Sequence, residues 1–201
     1  MTDFANLPAD ITPGAFFQAV EAALQNEPAP AGAAPDKLLI HVSGETGGTW
    51  AMGFEGGRLT IPEGTATNPP LQISLTTEDL RAFVAGSIRD AIKAKAGDRA
   101  IDAKQIAKIF GITRKTEQVR AIKGDIQVAI TTASGAHKLT MTFGGEAPKV
   151  ADPATKITMS FDDFVALTRR ELDPMQAFFM GRIQMDGDLN LAMGLAPLMM
   201  G

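Results

Sequence analysis

Residues Asp173 to Met200, DPMQAFFMGRIQMDGDLNLAMGLAPLMM, form the most apolar stretch of a 201-residue chain and hold most of its ten methionines. A membrane-spanning helix needs about 20 nearly uninterrupted apolar residues, and Arg182, Asp186, Gly187 and Asp188 break this run. The stretch must therefore fold back on itself in short pieces. An apolar segment around Ala177, Phe178 and Phe179 precedes an alternating strand, Arg182-Ile183-Gln184-Met185. The Asp-Gly-Asp turn then opens a helix with Asp188 as its N-cap.

Upstream, Met1–Asp10 reads as a loose arm. Thr12-Pro13 starts a helix, Thr as N-cap and Pro at the first helical position. Phe16, Phe17, Val20, Ala23 and Leu24 recur at helical spacing and give it one apolar face. The Pro/Ala-rich segment from Glu27 to Pro35 cannot continue that helix and reads as a linker. Four short strands follow: Lys37–Ser43, Thr49–Phe54, Arg58–Ile61 and Leu71–Leu75. Thr76 and Asp79 then have the capping-box spacing, with Asp where Glu is usual, and launch a helix bearing Leu80, Phe83 and Val84.

The second half runs through the same series. Asp125–Thr131 and Lys138–Phe143 alternate as strands, and Phe143 is followed by Gly144-Gly145 as Phe54 is by Gly56-Gly57. Ile157-Thr158-Met159-Ser160 then runs into Asp163, Phe164 and Leu167. A constant spacing of 84 residues relates these positions to Ile73-Ser74-Leu75-Thr76, Asp79, Leu80 and Phe83. The expectation is an internal duplication, with one unit over 12–97, a basic helical linker over 98–124 and a second unit over 125–201.

With the pattern in hand, Asp173-Pro174, Ala177-Phe178-Phe179, Gly181, Ile183, Gly187 and Leu191-Ala192-Met193 resemble the end of sterol carrier protein 2 domains, without a gap over about 28 residues. That resemblance implies an α+β fold, antiparallel sheet with helices on one face, enclosing an apolar tunnel for sterols, fatty acids or acyl chains. The first unit keeps Gly86 where the family usually has a glycine, and the second has Arg170. Ala94-Lys95 stand in the first unit where Phe178-Phe179 stand in the second, so the ligand site is expected in the second. Its expected lining is Phe164, Phe178, Phe179, Ile183, Met185, Leu191, Leu195, Leu198 and Met199. Pro197 should end the last helix near Ala196, leaving Leu198, Met199 and Met200 as a movable flap.

Charge and chemistry narrow the function. Net charge is −4, yet residues 89–123 hold ten Lys and Arg against Asp90, Asp98, Asp102 and Glu117. Gln105–Arg114 has Ala107 and Gly111 spaced like a helix-turn-helix opening, but Glu117 stands where that motif needs an apolar residue. It reads instead as an amphipathic linker helix, Asp102 to Phe110, and transient contact with an anionic membrane surface is expected rather than nucleic-acid binding. Absence of cysteine excludes disulfides and thiolate chemistry. His41 and His137 lack a partner at ligand spacing, and the acid pairs Glu78-Asp79 and Asp162-Asp163 fall in first turns, where carboxylates are favoured. The expectation is a cytoplasmic, non-catalytic carrier of a fatty-acyl, sterol-like or isoprenoid ligand, without a cofactor. The alternative is an accessory protein that docks on a lipid-metabolism enzyme through its apolar C-terminal helix.

Overall fold

Period-two alternation recurs through the chain, and the strands it makes assemble into one sheet. The computed structural model describes residues 6–27, 29, 36–96, 116–169 and 171–192. In chain order these are α1 (Pro13–Leu24), β1 (Leu38–Ser43), β2 (Gly48–Glu55), β3 (Arg58–Thr60), β4 (Leu71–Thr76), α2 (Thr77–Val84) and α3 (Ser87–Ala96). There follow α4 (Thr116–Ala121), β5 (Gly124–Thr132), β6 (Gly135–Phe143), β7 (Thr155–Ser160), α5 (Phe161–Thr168), α6 (Pro174–Phe179) and β8 (Ile183–Gly187). A last helix, α7, opens at 189 and is described to 192. The linker-helix reading at 102–110 and the flap at 198–200 lie outside the described residues.

The strand order is β3-β2-β1-β4-β6-β5-β7-β8. Two like arrangements compose it. β1 is antiparallel to β2 and parallel to β4, and β5 is antiparallel to β6 and parallel to β7. Even the register corresponds, with Leu39 opposite Gln72 in one and Gln127 opposite Lys156 in the other. Antiparallel pairing of β4 with β6, from Leu71↔Phe143 to Ser74↔Thr140, joins them. They differ in that the first unit adds β3 beside β2, whereas the second adds β8 beside β7 and sends residues 144–154 across the sheet.

Local chemistry sets the helix starts. Thr12 accepts from Ala15 N at 3.2 Å, and Asp173 accepts from Gln176 N at 2.9 Å, each ahead of a proline at the first helical position. Thr76 and Ser160 cap α2 and α5 through Asp79 N (3.0 Å) and Asp163 N (3.1 Å). In both caps the carboxylate three residues on also bonds the capping hydroxyl. Each then reaches to a neighbouring strand. Asp79 accepts from Lys138 N of β6 at 3.1 Å and lies 3.3 Å from His137 Nδ1, while Asp163 accepts from Arg182 Nε at 2.6 Å, just ahead of β8. A shorter Asp in the Glu position thus ties helix to sheet instead of closing a full capping box.

The two faces of the sheet differ in kind. Trp50, Ile40 and Ile73 lie abreast on one face, with Phe16, Phe17, Val20 and Leu24 of α1 in the same core; the Phe17 and Trp50 ring centroids are 4.8 Å apart. Each such side chain, once buried, contributes about 1.5–3 kcal/mol. The opposite face carries Gln72, Ser74, Asp125, Gln127, Thr140 and Thr142, all buried. Residues 144–154 lie against it, held by Gln72 Nε2 to Glu146 O (2.5 Å), Lys149 N to Asp125 Oδ1 (3.1 Å) and Gln127 Nε2 to Val150 O (3.1 Å).

Candidate functional site: an apolar seam in the second unit

On the apolar face of the second unit, register places side chains in transverse rows. His137, Ile130, Met159 and Ile183 form one row across β6, β5, β7 and β8, and every member is buried. Two residues along, Leu139, Val128, Ile157 and Met185 form the next, and every member is only half-buried. Beyond it Ile126 and Thr155 are buried again, at 0% and 1% exposure. A strip of apolar side chains, incompletely covered, therefore runs between a buried row and the buried pair Ile126-Thr155.

Packing explains the strip. The larger apolar cluster contains Ile126, Phe143 and Leu191, and a smaller one contains Met159, Leu172, Ala177 and Ile183. Val128 and Ile157 touch both clusters, so the strip is the seam where two cores fail to merge. Phe164, Ala166 and Leu167 of α5 flank it, each half-buried against the smaller cluster. In the first unit the corresponding row, Trp50-Ile40-Ile73, is closed and buried.

Polar contacts fix the elements around the seam. Asp188 accepts from Asn190 N (2.9 Å) and Leu191 N (3.3 Å), capping α7 as the Asp-Gly-Asp turn predicts. Its own backbone is held to the start of β7, Asp188 N to Ala154 O at 3.0 Å and Thr155 Oγ1 to Asp188 O at 2.8 Å. These bonds place Leu191 in the larger cluster beside the seam. Arg182, engaged by Asp163 through Nε and Nη2, holds the α6–β8 corner against the start of α5.

The part of the chain that builds this seam is also the part that comparison with known proteins picks out. Residues 105–200 match the SCP-2 sterol transfer family. Among solved structures, the crystal structure of sterol carrier protein 2 like 2 from Aedes aegypti is 25% identical, with 55% of this chain and 91% of that chain covered, at a TM-score of 0.35. The solution structure of the palmitated form of that mosquito protein is 26% identical, covering 57% and 92%, at a TM-score of 0.36. Sterol carrier protein 2 from Yarrowia lipolytica, in its apo form, is 17% identical over 41% of this chain and 71% of its own, at 0.34. No curated protein matches the chain.

Within residues 105–200 the residues singled out by sequence fall in different places. Met185 is in the strip, Phe164 flanks it, Ile183 closes the row beside it, and Leu191 is buried in the larger cluster. Phe178 is half-buried, but Phe179 is 78% exposed. α6 has only six residues and turns Ala177 (0% exposed) to the core, so successive residues swing about 100° each away from it. In this structure Phe179 is a surface group. Leu195, Leu198 and Met199 lie outside the described residues.

Sequence reading missed Val128, Leu139, Ile157 and Leu167. Alternation put the three strand residues on the inward face but could not show that their row stays partly uncovered. Elsewhere, His41 bonds Thr49 Oγ1 (3.1 Å) and Gln72 Oε1 (2.9 Å), on the face opposite His137. Among the described residues no group of three or more His, Cys, Asp or Glu could hold a metal, and no helix is long and apolar enough to cross a membrane.

Proposed function

We propose that this protein is a non-catalytic carrier that holds a fatty-acyl, sterol-like or isoprenoid chain in the seam of its second unit. The observation that carries this reading is the half-buried row Leu139-Val128-Ile157-Met185, an apolar strip left open inside a segment matching the SCP-2 sterol transfer family. An acyl chain burying about ten methylenes there gains roughly 8 kcal/mol before ordering costs, at ~0.8 kcal/mol each. Such affinity needs no polar contact. Methionine suits the wall, because its unbranched, polarizable side chain adapts to ligands of differing shape.

Native mass spectrometry of the freshly purified protein tests the reading together with displacement of a fluorescent fatty acid. A co-purifying lipid and competitive displacement are the expected results. A protein that carries nothing and ignores the probe is not a lipid carrier.

We further propose that the two units are copies of one ancestral unit, on the strength of the common 84-residue spacing and the like strand pairing. Contact of residues 89–123 with anionic lipid forms part of the same proposal, since each cation near such a surface contributes on the order of 1 kcal/mol. Two of those cations are engaged within the protein, Arg89 with Asp90 and Arg120 with Asp36. Vesicles containing acidic phospholipid should therefore retain more protein than neutral ones at low salt; equal retention refutes the contact.

A further inference from the structure

A hollow in the described surface lies on the polar face of the sheet, opposite the seam. It is a trough of about 940 Å³, open on one side, that crosses from the first unit to the second. One transverse row, Thr49-His41-Ser74-Thr140-Gln127-Lys156, runs along its floor through six adjacent strands. Pro148, Val150 and Ala151, from the segment that crosses this face, form a wall.

An outward sheet face is ordinarily just solvated, and three observations set this one apart. First, the middle of its floor is buried: Ser74 is 6% exposed, Thr140 1% and Gln127 8%. Second, much of the floor is already hydrogen-bonded and held still. His41 is fixed by Thr49 and Gln72, and Gln127 Nε2 donates to Thr140 Oγ1 (3.1 Å) and Val150 O (3.1 Å). Third, the groups left over can all donate a hydrogen bond. The Lys138 and Lys156 ammonium groups make no ion pair among the described residues, and the Ser74 and Thr158 hydroxyls take no partner there.

The charge balance of the trough points the same way. Asp79 is the only carboxylate in its lining, and both of its oxygens are occupied, Oδ2 by the Thr76 hydroxyl and Oδ1 by Lys138 N and His137. Asp186 stands opposite Lys156 across β8 without reaching it as an ion pair. Lys138 and Lys156 sit on β6 and β7 with β5 between them, opposite Ala129 and Gln127, two residues apart in register. Strand spacing puts their Cα atoms roughly 12 Å apart, within reach of one anion for two long side chains. Two unpaired ammonium groups over a floor of hydroxyls and amides match a phosphate carried on a hydroxylated body.

We propose that this trough is a second binding site, distinct from the apolar seam, for a small phosphate-bearing, hydroxyl-rich molecule of the sugar-phosphate or nucleotide class. Calorimetric titration with inorganic pyrophosphate, ribose 5-phosphate and ribose, followed in parallel by backbone amide shifts, tests it. Both phosphates should bind, ribose 5-phosphate the tighter, with shifts centred on Ser74, Thr140, Gln127 and Lys156. Lys138→Ala and Lys156→Ala should each weaken binding by about tenfold while leaving fluorescent fatty-acid affinity unchanged. Neither lysine is buried, so both variants should retain the amide spectrum of the folded chain. No heat and no shifts with either phosphate overturns the proposal. So does binding that both lysine variants leave intact, or ribose binding as tight as that of ribose 5-phosphate.

Discussion

Ile157→Asp should abolish uptake of a fluorescent fatty acid while the protein still melts cooperatively. Ile157 lies at the middle of the seam, packed on Val128 to one side and Met185 to the other, and it is half-buried rather than enclosed. In the ligand-free protein a carboxylate there can turn toward water, so the fold tolerates it. Covered by an acyl chain it cannot, and stripping its water costs on the order of several kcal/mol, a loss in affinity of more than about a hundredfold. Ile126→Ala, in the buried row alongside, makes the control. It should lower stability by about 2–5 kcal/mol through the cavity it leaves and leave affinity nearly unchanged. A folded Ile157→Asp protein that binds the probe normally would place the ligand elsewhere.

Gly187→Ala should be the more damaging of two glycine replacements that look alike in the sequence. Gly187 ends β8 with φ +103°, and a Cβ there would stand 2.1 Å from the Ala154 carbonyl oxygen. Backbone cannot move aside as a flexible side chain can. Any shift also disturbs Asp188, whose amide bonds that same carbonyl and whose side chain caps α7. Strain and clash together should cost about 3 kcal/mol or more in urea unfolding. Gly56→Ala keeps only the conformational penalty, about 1 kcal/mol, since φ is +57° and a Cβ would meet nothing within 4 Å. Equal losses in the two variants would contradict the close approach at Ala154.

What could be read from sequence was what is decided locally. Thr12-Pro13, Thr76 with Asp79, Ser160 with Asp163 and Asp188 all start helices where the capping pattern puts them, because a cap depends on residues three apart. The strands were legible for the same reason. Their partners were not: nothing in β4 announces that Ser74 will lie opposite Thr140, 66 positions on. The seam was only half legible. Met185 and Phe164 carry an apolar signal, but Val128 and Ile157 differ from Ile126 and Ile130 only in what packs above them. Phe179 was named from the family resemblance, which gives a residue's type and place in the chain but not which way a six-residue helix turns it. The trough was illegible altogether, since its wall comes from a segment without regular structure that is bonded to side chains about 20 to 80 positions away.

The pairing of β4 with β6 also bears on how the molecule can be divided. Each unit meets the other with its inner strand, and the ladder from Leu71↔Phe143 to Ser74↔Thr140 satisfies peptide groups that neither unit can satisfy alone. Cutting the chain between α3 and β5 would bare the flank of β6, a ready template for a second copy. The junction thus does the work of a seal. Short β3 and β8 are left as the outer borders, and the long central strands are kept from recruiting strangers.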